Sequence, residues 1–257
     1  MRKFLLSLII NIILFAPAFA DYVKTKDLSL SAADITELEI DCGAGYLMVE
    51  GVEGLENIEV EAEIVIEGMN RKKAQDFIDK HLRLDIREKR GHAVLRSHFD
   101  KSLSSFTLFG RKSSMVNLNV RIPVDMDLTI DDGSGDTRVE NINGEVTIDD
   151  GSGDLELELI KGHTDIDDGS GEIYIVNLDG NLVIDDGSGE IHIKEVTGDV
   201  EIDDGSGDIS VRRIGGSVLV GDGSGDIRIR YVKQDVEIID DSSGDVSIAR
   251  VDGRVIR

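Results

Sequence analysis

The sequence predicts an all-β chain wound as a parallel β-solenoid of eighteen-residue coils, capped at its N-terminal end by an insert with one short helix. Three observations predict it. Seven near-copies of an eighteen-residue unit run from Asp127 to Gly253, and a fixed short period marks coils stacked along one axis. Within each copy aliphatic and polar residues alternate, which is the periodicity of a strand with one buried face. Glycines recur at two fixed places per copy, where the ribbon has to turn.

Taken in order, residues 1–20 carry Arg2 and Lys3, an apolar run from Phe4 to Phe15, and Ala18-Phe19-Ala20. This is the order of an export signal, with cleavage expected after Ala20. The run is shorter than the roughly 18 residues of a spanning helix, and Asp21 in place of Cys offers no lipid-attachment point. An exported chain, periplasmic or extracellular and without a transmembrane segment in its mature form, is expected.

Residues 21–122 read as a degenerate coil plus a capping insert. Ile40-Asp41-Cys42-Gly43-Ala44-Gly45-Tyr46-Leu47-Met48-Val49, ending at Gly54, matches Ile148 to Gly162 position for position. Strand-like Ile58 to Ile66 follows, then an amphipathic helix from about Asn70 to Leu82 with Ala74, Phe77, Ile78 and Leu82 on one stripe. Further alternating segments lie at Leu84 to Ile86 and Met115 to Ile122. Such a cover suits the end of a solenoid, whose open strand edge invites pairing with another chain.

Residues 123–257 hold the regular coils, expected to wind right-handed. In the coil Glu145 to Gly162 the apolar slots are the second, fourth, eleventh, thirteenth and sixteenth: Val146, Ile148, Leu155, Leu157 and Ile160. Two main strands and a shorter third contact per coil are expected, filled by β-branched residues that suit a pleated surface. Gln234 in the glycine row and an extra residue near Ile239 break the pattern late. The closing Arg254-Val255-Ile256-Arg257 begins a further coil, its arginines placed to discourage edge pairing.

A formal net charge of −24 over 257 residues argues against nucleic-acid binding, which draws its affinity from Lys and Arg replacing counterions. The single cysteine, Cys42, cannot form an internal disulfide and is expected to fill space as a small hydrophobe.

The sharpest functional candidate is the acidic corner. Asp132, Asp150, Asp168, Asp186, Asp204 and Asp222 would form one ladder and Asp131, Asp149, Asp167, Asp185 and Asp203 another. Like charges about 4.8 Å apart repel by about 0.9 kcal/mol per pair even in water, so something has to offset them. Calcium is one candidate, since repeats-in-toxin proteins bind it at stacked Gly-rich turns, but here Gly135 abuts Asp136 and the motif occurs once per coil. The plainer expectation is that Asp132 and its equivalents accept turn amides as Asx turns while the other acids stay solvated.

Catalysis finds little support. A hexapeptide acyltransferase helix would need apolar residues where Asp136, Asp154 and Glu172 stand, and polysaccharide-cleaving β-helices need long loops walling a cleft. Carboxylates are plentiful, yet none has a distinctive neighbour to tune it apart from the rest. His163 and His192 lie on outward slots without partner spacing, and no flat threonine row offers an ice-binding face. No catalytic, cofactor-binding or metal-binding residue is singled out.

Two binding candidates remain. Ser102 to Ser114 gathers Phe106, Phe109, Arg111 and Lys112, the residue types of interface hot spots. Arg212, Arg213, Arg228, Arg230, Lys233 and Arg250 gather late in the chain on outward slots, where a face balancing the acidic rows is the simpler account.

The repeated Ser134-Gly135-Asp136, Ser152-Gly153-Asp154, Ser206-Gly207-Asp208, Ser224-Gly225-Asp226 and Ser243-Gly244-Asp245, with Glu172 and Glu190 as variants, resemble an exported bacterial adhesin-like family of domains of unknown function. The resemblance covers Leu38 to Arg257 and implies a short β-solenoid. The function expected is a non-enzymatic structural or binding module of the cell envelope, with an envelope protein, a polysaccharide or a second copy as partner. A carbohydrate-active β-helix enzyme and a calcium-binding repeat protein are the alternatives.

Overall fold

Alternating aliphatic residues put one face of every short strand inward, and the computed structural model, which describes residues 21–100 and 113–257, is built almost wholly of such strands. The N-terminal part supplies β1 (Tyr22–Ser31), β2 (Glu37–Ala44), β3 (Leu47–Val52), β4 (Asn57–Ile66), α1 (Arg71–His81), β5 (Leu82–Lys89), β6 (His92–Phe99) and β7 (Ser114–Pro123). Seven main coils follow as strand pairs. They begin with β8 (Asp127–Ser134) and β9 (Thr137–Ile142), β10 (Val146–Asp150) and β11 (Leu155–Lys161), and β12 (Thr164–Asp168) and β13 (Ile173–Asp179). Next come β14 (Leu182–Asp186) and β15 (Ile191–Val196), β16 (Val200–Asp204) and β17 (Ile209–Ile214), and β18 (Val218–Asp222) and β19 (Ile227–Val232). The pair β20 (Val236–Asp241) and β21 (Val246–Val251), then the two-residue β22 (Val255–Ile256), complete the chain.

The first strand of each pair joins one eleven-stranded sheet and the second joins another. Successive coils pair in parallel and in register, so that Ile148 lies between Ile130 and Ile166, and Leu157 between Val139 and Ile175. The protein is therefore an all-β parallel solenoid of about seven turns with, among the described residues, a single short helix near its N-terminus. Its core is a spine between the two sheets, where Ile148, Ile166, Ile184 and Ile202 are at most 1% exposed. Each such side chain contributes about 1.5 to 3 kcal/mol by burial, and each coil depends on its neighbours to complete that burial.

The third contact of each coil belongs to the second strand and is not a separate element. Leu157 and Ile160 both face the core, although an odd number of steps separates them. The strand manages this by placing the residue between them in the left-handed region: Asn141, Leu159, Asn177, Glu195, Arg213, Tyr231 and Arg250 all have φ between 58° and 66°. Such a conformation costs a non-glycine residue about 1–2 kcal/mol. It recurs on every main coil because it returns the sixteenth slot to the core.

The order of the chain is not the order of the stack. The degenerate coil β2–β3 pairs directly with β8 and β9, as Ile40 with Ile130 and Val49 with Val139. Beyond it lies a further layer made by β6, parallel to β2, and β7, parallel to β3. The chain thus passes from β7 to β8 across the coil that separates them. The cap is finished by antiparallel strands, β4 and then β1 on one sheet and β5 on the other. The strand β1 has no counterpart in the sequence-based expectations, because its alternation, Tyr22-Val23-Lys24-Thr25-Lys26, is carried by polar residues.

Helix α1 closes the end. Asn70 accepts the Lys73 amide as N-cap, Ala74 and Ile78 are buried, and the Phe77 ring lies 5.5 Å from that of Phe99. Tyr22 donates from its hydroxyl to Gln75 on this helix, and Lys26 reaches the Leu84 carbonyl on the opposite sheet. At the other end, Arg257 donates to the Val246 carbonyl and Arg254 pairs with Asp235. The extra residue there is a register shift between β18 and β20 that leaves Ile239 62% exposed.

Candidate functional site

Each coil has two arcs, an acidic one leading from the first sheet to the second and a glycine-bearing one leading back. At the acidic arc the alternation Val146, Ile148, Asp150 carries straight through, so the second aspartate of each pair points inward. Asp132, Asp150, Asp168, Asp186, Asp204 and Asp222 are 1–2% exposed, whereas Asp149, Asp167, Asp185 and Asp203 face solvent. Every inner Oδ1 accepts the amide of the serine two residues on, at 2.8–3.2 Å. These are the expected Asx turns.

The inner Oδ2 atoms are different. Those of Asp150, Asp168, Asp186 and Asp204 are buried without a hydrogen-bond partner among the described residues. An ionised carboxylate in that position loses its hydration without replacement, so the neutral acid is favoured. Burial, reinforced by neighbouring aspartates, pushes Asp150 and Asp204 up to about 7 and Asp168 to about 6. Asp132 is raised by burial too, and Asp186 likewise. Protonation removes the charge that stacking at about 4.8 Å would make repulsive.

The column begins on a thiol. Cys42 is the in-register equivalent of Asp132, and Ser97 of Cys42. The Asp132 Oδ2 accepts from Thr137 at 3.1 Å. Cys42 is half-buried and packs against the hydrophobic core, as expected of a small hydrophobe, while standing in register with the acidic column; burial and then Asp132 raise its thiol well above the ordinary range.

Outer acids are used as clamps between coils. Asp136 accepts the Asp154 amide, Asp154 that of Glu172, and Asp208 that of Asp226, at 2.9–3.3 Å. Among the described residues no group of three His, Cys, Asp or Glu side chains converges as a metal site would require; the carboxylates run in rows.

The opposite arc carries a concavity. A groove of about 790 Å³ follows the left-handed row, lined by Asn177, Glu195, Arg213, Tyr231 and Arg250 with Lys233. Arg213 pairs with Glu195 at 2.7 Å and Lys233 with Asp252 at 3.1 Å. Arg212 and Arg250 place their guanidinium carbons 5.5 and 4.7 Å from the Tyr231 ring centroid, within cation–π range, and Arg250 also donates to the Tyr231 hydroxyl. The late basic residues thus partly line the groove and partly balance charge: Arg228 lies against Asp208 and Asp226.

The remaining candidates divide. His192 sits 3.3–3.4 Å from the carboxylates of Glu172 and Glu190 at the surface, and His163 is exposed just before β12. Phe106, Phe109, Arg111 and Lys112 lie outside the described residues; the chain there joins β6 to β7. The groove was missed by sequence reasoning, although the odd spacing between the thirteenth and sixteenth slots signals the bend that shapes it.

Fold and site together define a repeat protein: a β-solenoid with a sealed carboxyl column along one edge and a groove rimmed by charged side chains along the other. The chain belongs to the Toastrack DUF4097 family, whose model matches residues 35–254. No curated protein sequence matches it. Among solved structures it is similar to a candidate lipid-binding protein from Parabacteroides distasonis ATCC 8503, at 17% identity and TM-score 0.45 over 90% of this chain and 96% of that one. It is also similar to a candidate cell-adhesion protein from Clostridium sporogenes ATCC 15579, at 12% identity and TM-score 0.40 over 91% and 98% of the two chains. A candidate adhesin from Bacteroides fragilis NCTC 9343 is similar at 13% identity and TM-score 0.41 over 91% and 96%.

Proposed function

We propose that the protein is an exported, non-enzymatic binding module of the cell envelope, a rigid rod that presents the groove of the glycine-bearing arc to a partner. The observation that carries this is the groove itself: it spans five coils, is lined by exposed polar side chains around Tyr231, and rests on a scaffold that cannot shift locally without breaking coil-to-coil pairing. The charged and amphipathic order of residues 1–20 supports export.

Perturbed carboxyls usually point to catalysis. Here they are sealed in the core at 1–2% exposure, out of reach of any substrate, and their perturbation is structural. The test is to immobilise the purified chain and pass envelope polysaccharide and protein fractions over it. Retention of a partner that elutes chemically unchanged is expected. Recovery of shortened glycan, with the activity abolished by one aspartate substitution, would establish an enzyme instead.

A further inference from the structure

On the outward face of the second sheet, the fourteenth slot reads Glu140, Glu158, Val176, Lys194, Arg212, Arg230 along the rod, so its sign reverses. Lys194 pairs in register with Arg212, and Arg212 with Arg230, stacking like charges at about 4.8 Å. Arg213 and Arg250 flank this ladder from the left-handed row. Among the described residues, no carboxylate lies within ion-pair distance of Arg212, Arg230 or Arg250, while Glu195 serves both Lys194 and Arg213. Elsewhere on the solenoid Arg138 meets Glu140, Glu156 and Glu158, Arg228 meets Asp208 and Asp226, and Arg254 meets Asp235, while the terminal Arg257 reaches the Val246 carbonyl. A chain with 52 acidic and 28 basic residues has acids to spare, yet leaves these three arginines together and unmatched.

We infer that this ladder and the adjoining groove form a docking site for an anionic polysaccharide, one chain lying along the rod with its acidic groups on Arg212, Arg230 and Arg250. This rests on the binding-module function proposed above and names its ligand class. Tyr231 stacks against two of the guanidinium groups and holds them in place before binding, which lowers the ordering cost of the contact. The groove runs across successive coils from Asn177 to Asp252, so it fits a linear polymer better than a compact ligand. Its walls belong to strands already paired on both sides from β13 to β19, leaving those strands no free edge for a peptide to join. Asn177, Thr197 and Tyr231 supply hydroxyl and amide groups of the kind that meet sugar hydroxyls. The chain's overall negative charge is screened beyond about 8–10 Å at physiological salt, so the local positive field governs the encounter.

The experiment is affinity electrophoresis of the purified chain in gels containing polygalacturonate, with dextran as the neutral control. Wild type is expected to be retarded by polygalacturonate alone, less so at high salt. The R212Q/R230Q/R250Q variant is expected to bind at least about tenfold more weakly, the loss of one or more charge-assisted contacts, whereas R138Q binds as wild type. All three positions are exposed; if the triple variant fails to fold, R230Q alone carries the comparison. Equal retardation of wild type and triple variant, or none of wild type, overturns the inference. So does binding confined to anionic phospholipid vesicles, or a concentration-dependent self-association that the triple variant abolishes without any glycan binding. Running wild type and variant over the envelope fractions separates the two claims: retention of an unchanged partner by both leaves the binding module standing and removes its anionic ligand.

Discussion

Cys42 and Asp132 occupy the same place on adjacent coils, so the thiol stands in register with a buried carboxyl. The polar column therefore changes chemistry at its N-terminal end without losing register. Because burial and the neighbouring Asp132 both disfavour the thiolate, and the thiolate is the reactive form, Cys42 should resist alkylation. Iodoacetamide labelling followed by mass spectrometry should show little modification of the native chain and complete modification in denaturant. Rapid labelling of the folded protein would show that the thiol is not held in this column.

Glycine serves different ends in the two arcs, close approach in the acidic arc and backbone conformation at the turn after β3. Gly153 has φ +150°, and a Cβ there would lie 1.8 Å from the Gly135 carbonyl oxygen of the preceding coil; Gly54, at φ +71°, has open space around it. Gly54→Ala should cost about 1 kcal/mol of backbone strain. Gly153→Ala should cost several times more, since coils must part to admit the methyl group. Urea denaturation midpoints compare them, and equal losses would contradict the close stacking of the arcs.

Strain in the left-handed row is testable at Leu159, which is 49% exposed with φ 60°. Leu159→Gly removes a conformational cost of about 1–2 kcal/mol and loses little burial, so a small net gain in stability is expected by thermal unfolding. A clear loss would mean that the buried half of the leucine side chain outweighs the strain.

Much of this architecture could be read in the sequence because it is local. The period fixed the coils, alternation fixed the two strands, and Asn70 with the Ala74, Phe77, Ile78 stripe marked the helix. One feature was not readable for a physical reason: which strands neighbour each other in the cap depends on long-range pairing, so β6 and β7 lying outside the β2–β3 coil leaves no local mark. The groove was readable in part, since Leu157 and Ile160 cannot both face inward in an unbroken strand. The inward turn of Asp150 was equally available, as it continues the alternation of Val146 and Ile148, but aspartate is so seldom buried unpaired that the pattern suggested the Asx turn, which the structure shows, and not the buried second oxygen.

The central claim is that stacked coils seal a column of largely neutral aspartates, and pH-dependent unfolding tests it most directly. Asp150, Asp168 and Asp204 have folded values of about 7, 6 and 7 against an ordinary 3.8. The folded state therefore binds more protons between these limits. Stability from this source is complete below about 3.8 and is lost as pH rises through about 6 to 7. Thermal midpoints should fall by several degrees from pH 5 to pH 8 in wild type and in D149N/D167N/D203N, and should be nearly flat in D150N/D168N/D204N. Equal pH profiles for the two triple variants, or a wild type more stable at pH 8 than at pH 5, would contradict a sealed carboxyl column.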